Sequence, residues 1–301
     1  MRLVVICGPT AVGKTAAAVD VAQRLNGEII VADSRTIYRY MDIGTAKPTR
    51  EQRARVPHHL VDIADPDQLI TLATYRKLAG EAIQEIRGRG KVPLLTGGTG
   101  LYIRAIVDEF SIPEVPPDPE LRRRLEDLER RTPGSLYTRL QQVDPMAAVR
   151  IHPRNVRRIV RALEVFEHTG KPISSLQRRS DPLGFAVQTG LTMDRGELYR
   201  RINARVDEQI AAGLVQEVQG LLDRGYDPAQ AALQGLGYKE IVEYLKGQVT
   251  LAEAIRRLKR NTRRYAKRQL TWFRRDARVR WIDITKLSSE QVADLIMSVL
   301  Q

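Results

Sequence analysis

The segment that decides the fold reads LVVICGPTAVGKT and runs from Leu3 to Thr15. It opens with a continuous, β-branched apolar run, which predicts a parallel strand covered on both faces. The rest fits the pattern G-x-x-x-x-G-K-[ST] of a P-loop, placed between a predicted strand and a predicted helix. Such a loop turns backbone N–H groups and the positive end of a helix dipole toward phosphate oxygens. The sequence therefore predicts a site for a phosphate chain, formed by Gly8, Thr10, Ala11, Val12, Gly13, Lys14 and Thr15.

Two side chains of this loop carry specific chemistry. Lys14 supplies a mobile cation for the phosphates, and Thr15 offers its hydroxyl to a Mg²⁺ ion. A P-loop identifies a phosphate chain and not a reaction. From these residues alone a kinase, an NTPase and a prenyl diphosphate transferase all remain open.

Strand and helix patterns alternate after the P-loop. A helix is predicted over 14–25, a strand over 28–32, a helix over 73–87 and a strand over 92–96. This alternation is typical of an α/β protein with a doubly wound parallel sheet. Asp33 closes the second strand, and a glycine cluster that contains Thr99 follows the 92–96 strand. Both lie at the carboxyl edge, where such sheets bind ligands.

The composition of the chain changes at Pro113, where four prolines fall within seven residues. Helices are predicted over 120–131, 135–143 and 154–168, followed by a returning strand over 186–193. We therefore expect two domains, a P-loop core formed by 1–112 and 190–301 and a helical insertion at 113–189. The C-terminal part is predicted to be helical and basic, with helices over 196–224, 238–246 and 251–275, a strand over 279–284 and a last helix from 288.

The charge of the chain points to a polyanionic partner. The 301 residues carry a formal charge of +13, which favours a nucleic acid or an anionic membrane surface, with nucleic acid first. Twelve basic residues against one acid lie between Arg256 and Arg280, and Leu258, Tyr265 and Trp272 give that helix one stripe to bury. The cations expected to meet phosphates are Arg263, Arg264, Lys267 and Arg268. No apolar run is long enough to span a membrane and no signal peptide is visible, so we expect a cytoplasmic protein.

Seven motifs together resemble one family. They are the P-loop, DS-x-x-x-Y from Asp33, MDIGTAKP from Met41, GGTGLY from Gly97, RALEVFEHTGKP from Arg161, GLGYKE from Gly235 and NTRRYAKRQLTWFRRD from Asn261. In this order, over nearly the whole chain, they resemble the tRNA dimethylallyltransferases. The resemblance implies transfer of a dimethylallyl group from dimethylallyl diphosphate to the exocyclic amine of the adenosine immediately 3′ of the anticodon, with no hydrolysis of NTP.

The resemblance also implies roles for individual residues. Asp33 matches a general base, Thr99 a residue that contacts the target adenosine, and Arg205 an arginine at the diphosphate. Segments that match tRNA contacts are Asp33, Ser34, Arg35, Thr36, Arg122, Arg157, Arg158, Ile159, Val160, Arg161, Gln234, Gly235, Leu236, Gly237, Tyr238 and Lys239. The implied partners are the tRNA anticodon stem-loop, dimethylallyl diphosphate and Mg²⁺, and we expect a monomer.

One position departs from the family pattern, which usually carries Gln where this chain has Thr36. The shorter side chain without an amide affects the expected base preference more than the expected reaction. From the residues themselves, Asp33 has two further interpretations, a turn or cap residue and a ligand of Mg²⁺.

Other functions also use a P-loop. A nucleoside or nucleotide kinase would bind ATP there but leaves the basic helices unexplained. An isopentenyltransferase for free adenine nucleotides would not need such a cationic surface. An RNA-binding NTP switch would need a base-specificity motif, and none is visible in the sequence.

Overall fold

The computed structural model describes residues 2–108, 113–177 and 186–300. The chain divides into two compact units, one formed by Met1–Ile106 with Gly184–Gln301 and the other by Val107–Leu183. We refer to them as the core unit and the helical unit.

The core unit is organised by one parallel sheet of six strands. The strands are β1 (Leu3–Cys7), β2 (Gly27–Ala32), β3 (His58–His59), β4 (Val92–Gly97), β5 (Ala186–Thr192) and β6 (Val279–Asp283). Their order is β3-β2-β4-β1-β5-β6, and every neighbouring pair is parallel. All residues of β1 and β2 are buried, as expected for apolar strands covered on both faces. The prediction of a doubly wound α/β fold is confirmed.

Helices account for most of the remaining chain. In the core unit they are α1 (Lys14–Arg24), α2 (Arg50–Arg55), α3 (Leu72–Gly88) and α4 (Gly100–Val107), the last of which ends at the boundary of the units. In the helical unit they are α5 (Pro119–Arg131), α6 (Ser135–Val143), α7 (Pro145–Arg150), α8 (Val156–Thr169) and α9 (Ile173–Leu176). The core unit then continues with α10 (Arg195–Ala211), α11 (Leu214–Asp223), α12 (Tyr238–Leu245), α13 (Leu251–Phe273) and α14 (Ser289–Leu300).

Each unit has its own apolar interior. In the core unit α1 and α14 pack on the sheet, and α10 to α13 enclose a second cluster around Leu214, Leu258 and Met41. In the helical unit, α5, α6 and α8 bury Leu121, Leu136 and Leu163 against one another. None of the described helices is long and apolar enough to cross a lipid bilayer.

One predicted helix was wrong. The segment 196–224 forms two helices, because Gly213 adopts φ +100°, a left-handed conformation that ends α10 and begins α11. The sequence interpretation also missed α4, which begins inside the glycine cluster at Gly100. A Cβ there would lie 2.1 Å from the Trp272 ring, so only glycine lets α13 approach this closely.

Candidate active site

Three loops meet at the carboxyl edge of the sheet. Cys7 and Ala32 both lie beside Gly97 in the strand register, so the segments that follow β1, β2 and β4 leave the sheet together. The N–H of Thr99 donates to the carbonyl of Ala32 at 3.1 Å, and the N–H of Ser34 donates to the Thr99 hydroxyl at 3.1 Å. The edge therefore joins the P-loop to what we call the acceptor loops, 33–36 and 97–100.

The P-loop has the left-handed backbone that its glycines allow. Gly13 has φ +98° at the start of α1, and Gly8 has φ +146°. A Cβ on Gly8 would lie 2.6 Å from the carbonyl oxygen of Leu191, so the loop needs glycine there for space as well as for conformation. The Lys14 ammonium donates to the carbonyl of Pro9 at 2.7 Å. The lysine is thus folded back along the loop.

Two cations, Lys14 and Arg205, are electrostatic neighbours beside this loop. Burial, reinforced by the neighbouring charge of Arg205, lowers the pKa of Lys14 to about 8, while Asp33 opposes that decrease. Burial also lowers the pKa of Arg205, which α10 brings to the loop. Because the two cations are half-buried and repel each other, a bound anion would stabilise the charged form of both.

Asp33 lies in the same electrostatic environment. Burial raises the pKa of its carboxyl group, against the opposing effects of a hydrogen bond from the Arg35 N–H and of the Lys14 charge. The Arg35 N–H donates to Oδ1 at 2.8 Å, so Asp33 does shape its own turn. A carboxylate with a raised pKa is a better proton acceptor than an ordinary aspartate.

Sequence reasoning missed two residues on α13, Tyr265 and Gln269. Burial and the Asp33 charge raise the pKa of the Tyr265 hydroxyl, whereas a hydrogen bond to Thr99 opposes that shift. Gln269 is buried and hydrogen-bonds both the P-loop and the Gly97–Gly98 turn. Tyr265 belongs to the stripe of Leu258, Tyr265 and Trp272, which the sequence assigns to the core, and no local signal marks Gln269.

The predicted RNA-binding cations of α13 differ in environment. Arg264, Lys267 and Arg268 are exposed. Arg263 is half-buried, donates to the Asn203 side chain at 2.7 Å and lies over the Tyr199 ring. Three of the four cations are therefore presented to solvent, and Arg263 mainly joins α13 to α10.

The segment 234–239 meets the loop that follows Asp33. The Arg35 guanidinium donates to the carbonyl of Ala231, and its side chain lies against Gly235. Tyr238 is buried and donates its hydroxyl to Glu217 at 2.7 Å. Gln234 is exposed, and Lys239 is half-exposed. Thr36 is buried, and its hydroxyl has no hydrogen-bond partner among the described residues.

Most of the predicted RNA-binding residues of the helical unit make contacts within that unit. Arg122 makes two hydrogen bonds to the buried Glu164, at 2.7 and 2.8 Å, and Arg161 makes another at 2.6 Å. Ile159 and Val160 lie in the apolar interior of that unit. An RNA contact through α8 would therefore use the exposed Arg157 and Arg158.

The donor set for a cation at this edge consists of oxygens. No group of three or more His, Cys, Asp or Glu side chains that could hold a metal was found in the described part of the chain. Thr15, at the first turn of α1, offers a hydroxyl and Asp33 a carboxylate, which suit a hard divalent ion. Such an ion fits as a companion of a bound diphosphate whose oxygens complete its shell.

A P-loop on a doubly wound sheet, with two cations and a carboxylate as electrostatic neighbours, is typical of an enzyme that acts on a phosphate-bearing substrate. A family model described as IPP transferase matches residues 36–276, and one described as isopentenyl transferase matches 1–59. The tRNA dimethylallyltransferase of Carboxydothermus hydrogenoformans is 51% identical over 99% of this chain and 96% of its own. That of Desulforudis audaxviator is 55% identical over 94% of this chain and 92% of its own.

Solved structures give the same result. The tRNA isopentenylpyrophosphate transferase of Bacillus halodurans has a TM-score of 0.73 and 46% identity, over 99% of this chain and 96% of its own. A eukaryotic dimethylallyltransferase acting on tRNA has a TM-score of 0.81 and 28% identity, over 99% of this chain and 78% of its own. This chain belongs to the tRNA dimethylallyltransferase family. Transferases of this family typically need a divalent metal.

Proposed function

We propose that this protein transfers the dimethylallyl group of dimethylallyl diphosphate to the exocyclic amine of the adenosine immediately 3′ of the anticodon in tRNA. The observation that carries the proposal is the grouping of Lys14, Arg205 and Asp33 as electrostatic neighbours at one edge of the sheet. The two cations suit the leaving diphosphate, and the carboxylate suits the proton of the amine.

The diphosphate is the part of the donor that gains charge as the carbon–oxygen bond breaks. We assign Lys14, Arg205 and the P-loop N–H groups other than that of Thr10 to that charge, because cations and N–H donors directed at a developing charge lower such a barrier most. We assign Mg²⁺ as the divalent ion, with the Thr15 hydroxyl as its protein ligand. Held there by Thr15, such an ion would supply Lewis-acid stabilisation of the leaving group.

The amine of adenine is a weak nucleophile, because its lone pair is shared with the ring. As the new nitrogen–carbon bond forms and diphosphate leaves, the nitrogen must lose a proton. Asp33 accepts it, and a general base of this kind contributes about 10²–10⁴-fold to the rate. We assign a contact with the same base to Thr99, and the hydrogen bond from the Ser34 N–H to its hydroxyl, next to this carboxylate, supports the assignment.

The acceptor reaches this edge only if the adenosine leaves the base stack of the anticodon loop, which costs a few kcal/mol. We assign the offsetting contacts to the exposed cations of α13, to 33–36 and 234–239, and to Arg157 and Arg158 of the helical unit. The domain 113–189 thus contributes to holding the anticodon stem-loop. We propose that the enzyme acts as a monomer, and its tRNA substrate supports a cytoplasmic location.

The test is incubation with dimethylallyl diphosphate, Mg²⁺ and unmodified tRNA, followed by mass analysis of the nucleosides. The expected product is adenosine with one added dimethylallyl group. A transcript with guanosine at the target position is the matched control and should gain nothing. Phosphate release from ATP coupled to a product, without prenylated adenosine, would contradict the proposal and favour the kinase. Equal modification of free adenine nucleotides would contradict the tRNA assignment.

A further inference from the structure

Gln269 of α13 connects two loops through a single side-chain amide. Its Oε1 accepts the N–H of Thr10 at 2.8 Å, and its Nε2 donates to the carbonyl of Gly98 at 2.9 Å. The residue is only 5% exposed, so water does not compete for either hydrogen bond. A planar amide that is used at both ends fixes the separation of the two groups it joins.

These two groups belong to opposite sides of the reaction. Thr10 lies in the P-loop, which faces the diphosphate. Gly98 immediately precedes Thr99, whose hydroxyl accepts the N–H of Ser34 beside Asp33. The Gln269 amide therefore spans from the loop that holds the donor to the loop that holds the acceptor.

The chain keeps space for this bridge. A Cβ on Gly98 would lie 2.2 Å from Nε2 of Gln269, so any larger residue at position 98 would displace the amide. The bridge also reassigns Thr10, because its N–H is directed at Gln269 and not at a phosphate. The remaining N–H groups of the P-loop are left for the diphosphate.

The same helix carries the exposed cations. Lys267 and Arg268 lie within two residues of Gln269 and point to solvent. Arg268 also lies over the ring of Tyr265, with its guanidinium carbon 5.8 Å from the ring centroid. The same helix thus carries the cations assigned to RNA phosphates on one surface and contacts both loops with another.

We propose that Gln269 is a positioning residue that sets the P-loop and the acceptor loops at reacting distance. This inference rests on the proposed function, and Gln269 itself contacts neither substrate. By fixing the distance between the two loops, its amide sets the distance between the reacting carbon of the dimethylallyl group and the amine of the adenosine. A misplacement of about 1 Å in such a site costs on the order of 10²-fold in rate.

The test compares Gln269→Leu, which removes both hydrogen bonds at similar volume, with wild type in single turnover at saturating substrates. The rate should fall by about 10- to 100-fold, while the dissociation constants for dimethylallyl diphosphate and tRNA stay within about threefold. Melting temperature is measured on each sample so that all assays are run on folded protein. Gln209→Leu is the control, since Gln209 also uses its side-chain amide to hold a loop outside this site: its Nε2 donates to the backbone carbonyls of Ile43 and Gly44. The control should keep a rate within about threefold of wild type.

Gln269→Glu gives a second readout that a packing role would not produce. As a carboxylate the new side chain accepts from Thr10 but repels the Gly98 carbonyl, whereas its protonated form donates and accepts like the amide. The rate of the variant divided by that of wild type should therefore rise as pH falls. This variant also keeps the inference testable if the leucine variant does not fold.

Several outcomes would overturn the inference. A Gln269→Leu rate within about threefold of wild type, or equal rate losses in the Gln209→Leu control, would remove the positioning role. A loss of donor affinity as large as the loss of rate would make Gln269 a binding residue of the P-loop. A pH-independent ratio for Gln269→Glu would mean that the two-ended hydrogen bond is not what matters. Wild type is assayed in parallel, so its failure to prenylate tRNA would instead refute the proposed function.

Discussion

The two ends of β2 carry carboxylates in opposite environments. Glu28, at the amino end, is buried; burial alone would raise its pKa, but hydrogen bonds from Lys91, His59 and Arg89 hold it at about 2. Asp33 lies just beyond the carboxyl end, and burial raises its pKa against the opposing charge of the neighbouring Lys14. The same strand thus carries a carboxylate with three side-chain partners, Glu28, near one end, and Asp33, which accepts a hydrogen bond from the backbone, at the other. The first serves stability, and the second is suited to proton transfer.

Paired amide substitutions should separate the two roles most clearly. Asp33→Asn keeps size and hydrogen-bonding capacity but cannot accept the amine proton, so the single-turnover rate should fall by roughly 10²-fold or more. Melting temperature and the affinities for both substrates should stay close to wild type. Glu28→Gln is the matched control and should leave the rate within about threefold. A slow Glu28→Gln variant and an unimpaired Asp33→Asn variant would break the comparison.

Glu28→Gln should instead destabilise the protein. A pKa displaced from 4.5 to about 2 corresponds to roughly 3 kcal/mol, and we expect about 2 kcal/mol in urea unfolding because Arg89 and Lys91 are partly exposed. Since the folded-state pKa is depressed, this stabilisation is complete above pH 4.5 and is lost as pH falls toward 2. A variant with wild-type stability at pH 7 would contradict the structural role of Glu28.

Donor affinity should depend on pH through Lys14. Its charged form binds the diphosphate, and its pKa in the free protein is lowered to about 8. Above that pH binding requires uptake of a proton, so the dissociation constant should rise by up to about tenfold per pH unit. Titration calorimetry at constant Mg²⁺ measures this, with Lys14→Gln as a control that should bind more weakly and without that pH dependence. A flat wild-type profile would show that Lys14 does not titrate in this range.

The smallest expected effect concerns RNA phosphates. Replacing Arg264, Lys267 and Arg268 together by Gln should reduce the slope of log affinity for tRNA against log salt by about 2–3, at roughly 0.7–0.9 for each lost contact. Lys91→Gln removes a cation at the opposite edge, where it is paired with Glu28, and should leave the slope unchanged. Equal slopes for wild type and the triple variant would place the tRNA on another surface.

The sequence was sufficient to predict the fold and to predict that the candidate site lies at the carboxyl edge of the sheet. The run Leu3–Cys7 and the P-loop after it identify a buried parallel strand that feeds an anion-binding turn, and all but one of the predicted helices lie within two residues of their observed bounds. Arg205 and Thr99 came from resemblance, because neither lies in a pattern that local physics distinguishes from a helix surface or a turn.

Charge and spacing could not show which groups pair inside the protein. Arg122 and Arg161 counted as RNA-binding cations in the sequence, yet both contact Glu164, far along the chain from Arg122. Gln269 was invisible for a related reason. Its two partners lie 259 and 171 residues away, and nothing local marks a glutamine in a basic helix as a bridge.

The most direct test of the central claim is the pH dependence of the single-turnover rate, measured on wild type and on Asp33→Asn with both substrates bound. Asp33 must be ionised to accept the amine proton, so the wild-type rate should fall as pH decreases through a pKa above that of an ordinary aspartate. The variant should be slow and should lack this acid limb. An acid limb that persists unchanged in Asp33→Asn would assign the proton to another group and contradict the account.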